Sequence, residues 1–139
     1  MAKAPIELLE QVPLFQGLRH QDLERIARTF KERRFSAGDT VASEGAGGVG
    51  FFVIAEGTAG VDVHGEPRGQ LGPGDYFGEV ALIDDQALRT ATVTAETDLT
   101  AYGLTSWEFR PLVETNAAIA WHLLQTMAKR LRAAEQRSA

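Results

Sequence analysis

Hydrophobic spacing changes character twice along the chain. From Pro5 to Phe30, the apolar positions Ile6, Leu8, Leu9, Val12, Leu14, Phe15, Leu18, Leu23, Ile26, Ala27 and Phe30 predict two short helices, with Pro13 and Gly17 breaking between them. The second opens at His20 or Gln21 and places Leu23, Ile26, Ala27 and Phe30 on one face. From about Lys31 to Leu104 the pattern becomes short β-branched and aromatic runs parted by glycine-bearing turns, the mark of a small sandwich or barrel. Predicted strands are Glu32–Phe35, Thr40–Ala42, Phe51–Ala55, Gly60–His64, Gly69–Leu71, Thr90–Ala95 and Leu99–Gly103. Gly38-Asp39, Glu56-Gly57 and Gly72-Pro73-Gly74-Asp75 supply turns, because glycine tolerates positive φ.

From Thr105 the helical period returns. Thr105 or Ser106 is the expected N-cap, Glu108 falls in the first turn, and Trp107, Phe109, Leu112 and Val113 are its apolar positions. Thr115 and Asn116 offer a second cap. Beyond it Ile119, Leu123, Met127 and Leu131 recur every four residues beside a second stripe of Ala120, Leu124, Ala128 and Leu131, on a helix reaching toward Gln136. No repeat or linker divides the chain. The pattern therefore predicts one α+β domain over residues 1–139: helices at about 5–30, a β-region at 31–104 and helices at 105–137.

Composition narrows the function classes. A chain of 139 residues buries enough surface to fold without staples, and the absence of cysteine excludes disulfides, thiolate metal sites and thiol redox chemistry. No run approaches the roughly 18 apolar residues that span a membrane, and Met1–Glu10 lacks a signal-peptide pattern, so a cytoplasmic location is expected. A net charge of −5 argues against direct binding of nucleic acid. Lys129, Arg130, Arg132 and Arg137 read as the solvated end of a helix, whose dipole they complement. His20, His64 and His122 stand at no metal-ligand spacing, Asp84-Asp85 reads as a solvated pair, and no catalytic signature is found, so neither a metal nor an enzyme is expected.

The chemistry concentrates in Phe77–Thr90. Gly78 beside the short turn Glu79-Val80-Ala81-Leu82-Ile83 exposes backbone N–H groups that favour an anion. Ten residues after Glu79, Arg89 stands before an apolar strand, where a guanidinium can grip two phosphate oxygens, and Thr90 adds a hydroxyl. Ionised Glu79 only accepts hydrogen bonds, which suits a ribose hydroxyl. The residues alone leave open a plain Glu79–Arg89 ion pair across the turn.

This segment, Phe-Gly-Glu-x-Ala-Leu followed by Arg-Thr-Ala-Thr-Val, resembles the phosphate-binding cassette of cyclic-nucleotide-binding domains, as in catabolite activator proteins and cyclic-nucleotide-dependent kinase regulatory subunits. The likeness extends to Val12-Pro13-Leu14-Phe15, Phe35–Val41, Phe51-Phe52-Val53-Ile54 with Gly57, and Met127–Leu131. It implies a double-stranded β-helix, a jelly-roll-like β-roll, with an N-terminal helical segment and two C-terminal helices. It further implies that Glu79 takes the ribose 2′-hydroxyl, Arg89 the cyclic phosphate, and Gly78, Val80, Ala81 and Thr90 the remaining oxygens. Two positions depart from the pattern. Val49 stands where relatives carry an acid that holds the arginine, leaving Glu44 to substitute, and Ala134 and Glu135 stand where the base contacts lie.

The implied ligand is cAMP, with cGMP possible through Thr90 and a cyclic dinucleotide or no ligand as lesser alternatives. The implied role is a regulatory module that acts in trans on an unknown effector, with neither nucleic acid nor membrane as partner. The alternative is a ligand-independent module that dimerises through Ile119, Leu123, Met127 and Leu131.

Overall fold

The computed structural model describes residues 4–43, 45, 50–84 and 89–138. Among the described residues, eight antiparallel strands form two four-stranded sheets: β1 (Lys31–Phe35), β8 (Leu99–Thr105), β3 (Gly50–Glu56) and β6 (Tyr76–Phe77) in one, β2 (Thr40–Ala42), β7 (Thr92–Ala95), β4 (Ala59–Val63) and β5 (Glu66–Leu71) in the other. The α+β β-roll expected from the sequence is present, as an open pair of sheets rather than a closed barrel. Helices α1 (Ile6–Leu9) and α2 (His20–Thr29), with a 3₁₀ turn at Pro13–Phe15 between them, precede the roll; α3 (Ser106–Thr115) and α4 (Ala117–Ser138) follow it.

Period-two alternation in β3 sorts its side chains to two cores. Phe51 and Val53 face the helices, in a cluster with Phe15, Phe30, Leu104, Phe109, Ile119 and Leu123. Phe15 sits at its centre, edge-on to Phe30 at 6.4 Å and to Phe51 at 6.0 Å, the arrangement that matches ring edge to ring face. Ile54 faces the inside of the roll, with Ala42, Ala59, Val93, Ala95 and Leu99. One strand thus fastens both cores together.

The turns carry their own hydrogen bonds. Asp75 accepts the Gly72 N–H at 2.8 Å while Gly74 takes φ +91°, and Asp39 accepts the Ser36 N–H at 2.8 Å beside Gly38 at φ +93°. His64 and Gly65 both take positive φ, a primed hairpin turn between β4 and β5 that sequence pattern had placed at the end of a strand. The capping box expected at Thr105 is complete: its hydroxyl accepts the Glu108 N–H at 3.3 Å and Glu108 accepts the Thr105 N–H at 3.1 Å.

Three expectations change. The two-residue strand β6 has too little length to show a period and exists through pairing with Phe52 and Val53. The strand expected from Thr90 begins at Thr92. Ile119 and Leu123 are buried in the helical core, so of the four positions expected to form a dimer seam only Met127, half-buried, and Leu131 reach the surface. A different stripe, Trp121, Leu124 and Leu131, is exposed on α4. No helix among the described residues is long and apolar enough to cross a membrane.

Candidate functional site

Strand β6 delivers the chain to the site. It ends at Phe77, Gly78 turns the backbone at φ +84°, and a 3₁₀ turn over Glu79–Leu82 follows, closed where the Ala81 N–H donates to the Gly78 carbonyl at 3.1 Å. Ala81 and Leu82 are buried, anchoring the turn against β3, β8 and α3. Ile83, directly after this turn, is 53% exposed.

Arg89 returns to the same place. Its Nη2 donates to the Gly50 carbonyl at 2.5 Å, its guanidinium carbon lies 5.8 Å from the centre of the Phe77 ring, and its own carbonyl accepts the Gly45 N–H at 2.8 Å. The guanidinium occupies the space that glycine leaves: a Cβ on residue 78 would stand 2.2 Å from Arg89 Nη1 and 2.6 Å from the Gly50 carbonyl oxygen. Phe77 in turn stacks on Phe52 with centroids 5.3 Å apart, and Phe52 meets Phe35 at 6.3 Å. The cation is thus seated on an aromatic ladder at the edge of the roll's interior.

Burial pushes the Arg89 pKa below its ordinary value, yet a guanidinium stays charged throughout the working pH range. A half-buried permanent cation favours an anion, and it lies beside a turn whose first N–H groups favour one too. Five N–H donors are available on a guanidinium and the Gly50 carbonyl takes one of them. Together these features suit a single phosphate group.

A family profile described as "Cyclic nucleotide-binding domain" matches residues 32–116, from β1 through the end of α3. The chain belongs to this family. The cAMP-dependent protein kinase regulatory subunit of Aspergillus fumigatus is 39% identical over 94 residues, 66% of this chain and 22% of that protein. A cyclic nucleotide-gated potassium channel of Mesorhizobium japonicum is 35% identical over 128 residues, 92% of this chain and 35% of the channel. The chain therefore spans between about a fifth and a third of the length of these two relatives. Among solved structures, the N-terminal domain of a transcriptional regulator from Streptomyces coelicolor superimposes with a TM-score of 0.86 at 28% identity, covering 93% of this chain and 95% of that one.

Within this cyclic-nucleotide-binding domain, the structure brings Gly78, Ala81 and Arg89 together, with Thr90 exposed next to Arg89. The side chains of Glu79 and Val80, and residues Glu44 and Val49, lie outside what the structure describes. Ala134 and Glu135 sit on the last turns of α4, half-buried and exposed, and α4 packs chiefly on α3 and the Pro13–Phe15 turn. Sequence reasoning missed the Gly50 carbonyl and the Phe77 ring as supports of Arg89. An aromatic residue directly before the cassette glycine was the available signal for the ring; a backbone carbonyl leaves none.

Proposed function

We propose that this domain binds a cyclic nucleotide, cAMP in preference to cGMP, and acts as a ligand-gated regulatory module for an effector protein rather than as an enzyme. The supporting observation is the seat of Arg89: a half-buried guanidinium fitted into the space of the missing Gly78 side chain, beside the Glu79–Leu82 turn. In this reading Arg89 binds the cyclic phosphate, backbone groups at Gly78, Val80 and Ala81 and the Thr90 hydroxyl take the other oxygens, and Glu79 accepts from the ribose hydroxyl. Ala134 and Glu135 remain the candidates for contact with the base once α4 moves.

Leu82 carries the signal. Its side chain is buried in one cluster with Phe109 of α3 and Ile119 of α4, so a shift of the turn on phosphate binding changes the packing of both helices. The shift is bounded by the difference in ligand affinity between the two helix positions.

Titration calorimetry of the wild type and Arg89→Glu with cAMP and with cGMP tests the reading. Binding of cAMP that is lost in Arg89→Glu is expected; a wild type that takes up neither nucleotide sinks it. A second reading, a homodimer formed through α4, is favoured by exposed Trp121, Leu124 and Leu131, each more than 60% exposed. Light scattering that finds a monomer at high concentration excludes it.

A further inference from the structure

The boundary between α3 and α4 is a single residue, Asn116, with φ −131° and ψ 92°. Its backbone carbonyl accepts the Ile119 and Ala120 N–H groups at 3.0 and 3.2 Å, so it occupies the N-cap position of α4. An N-cap asparagine ordinarily turns its side-chain oxygen onto the first-turn N–H groups of its own helix. Here Asn116 Oδ1 accepts instead from Arg25 Nη1 of α2, while its Nδ2 donates to the Leu112 carbonyl at 2.8 Å. Arg25 is aimed by Asp22, which is 2% exposed and lies 3.9 Å from Nη1; Arg19 also pairs with Asp22, at 3.2 Å.

We infer that Arg25 and Asn116 form a latch that holds α4 where it packs on α3 and the Pro13–Phe15 turn, the position that the proposed nucleotide-gated movement would leave. Arg25 holds the Asn116 oxygen toward α2 and so ties the start of α4 to that helix; once released, the same oxygen would turn to cap the first turn of α4. The packing of α4 fits this arrangement. Along the face of α4 that meets the core, Ile119 and Leu123 next to Asn116 are buried, Met127 is half-buried and Leu131 is exposed, so restraint on α4 is strongest at its beginning. Gly17, in the turn leading into α2, lies against the His122 ring and adds a second contact between the same two parts of the chain.

The latch rests on the proposed nucleotide-gated movement of α4, and its test separates the two. The chain has no cysteine, so Gly69→Cys and Ala133→Cys introduce a unique pair of exposed sites for spin labels, one on β5 and one late in α4. Without nucleotide, Arg25→Ala is expected to shift or broaden the distance distribution between them, and Arg19→Ala to leave it unchanged. In calorimetry Arg25→Ala is expected to bind cAMP about fivefold more tightly, since a larger fraction of molecules is already competent. Asn116→Ser keeps a capping hydroxyl for α4 but shortens the reach to Arg25; it should reproduce the effect, and the double variant should add nothing further. Unchanged distances in Arg25→Ala, an equal shift in Arg19→Ala, or unchanged affinity where the wild type binds cAMP overturns the latch. If the wild type binds neither cAMP nor cGMP, the proposed function fails, and the distances alone uphold or overturn the latch.

Discussion

Residue 78 and the guanidinium of Arg89 compete for one volume: the Cβ that Gly78 lacks would stand 2.2 Å from Nη1. Gly78 also holds φ +84°, a conformation in which a side chain is strained. Gly78→Ala is therefore expected to move Arg89 off the Gly50 carbonyl and to weaken cAMP binding at least tenfold, about 1.4 kcal/mol. Calorimetry alongside a thermal melt checks this, because loss of affinity in a folded variant separates displacement of Arg89 from general unfolding.

Phe77 supports the same guanidinium from below. Replacing it with Leu keeps apolar volume but removes the aromatic face, a contact worth roughly 0.5–1 kcal/mol at a partly exposed site. Phe77→Leu should weaken cAMP binding by a few fold, and Phe77→Tyr should retain wild-type affinity. Equal affinities for Leu and the wild type would show that the ring is only packing.

Gly57, between β3 and β4, has φ +90°, and a Cβ there would stand 2.2 Å from the Asp98 carbonyl oxygen. Both obstacles are backbone, so the structure cannot give way locally. Gly57→Ala is expected to cost stability by roughly 1–3 kcal/mol, read as a lowered midpoint in urea unfolding, while Gly65→Ala, with nothing within 4 Å, should cost less.

Glu108 links acid stability to α3. Burial pushes its pKa up, but hydrogen bonds from the Thr105 hydroxyl, Lys31 and the Thr105 N–H outweigh it and hold the carboxyl below the usual range. Lys31 Nζ lies 2.9 Å from Oε2. Because the folded value is depressed, the stabilisation is present above the unfolded glutamate pKa of about 4.3 and is lost as pH falls through the folded value. Glu108→Gln keeps the capping box but loses the charge, and should be roughly 0.3–1 kcal/mol less stable than the wild type near neutral pH, with the difference shrinking in melts below pH 4.

Much of the fold was legible because its signals are local. Asp39 and Asp75 close their turns over three residues and Thr105 and Glu108 cap one helix turn, whereas β5 starts at Glu66, three residues before the expected Gly69. Those interactions are complete within a few residues, so the amino-acid order alone determines them. The Phe77–Thr90 segment pointed to phosphate chemistry through its resemblance to the cassette, since the residues alone left a Glu79–Arg89 ion pair open, and its geometry was not legible.

Tertiary structure decided the rest. β6 exists because β3 offers it a partner, Ile119 and Leu123 turn inward because Phe15 and Phe109 wait there, and Trp121 and Leu124 are left outside. Arg89 meets Gly50 across 39 positions and Arg25 meets Asn116 across 91. Periodicity specifies which face of a helix is apolar but not which neighbour covers it, and a guanidinium in sequence has no address. Only the folded chain, by bringing distant backbone and side chains to one point, determines which group each of these arginines holds.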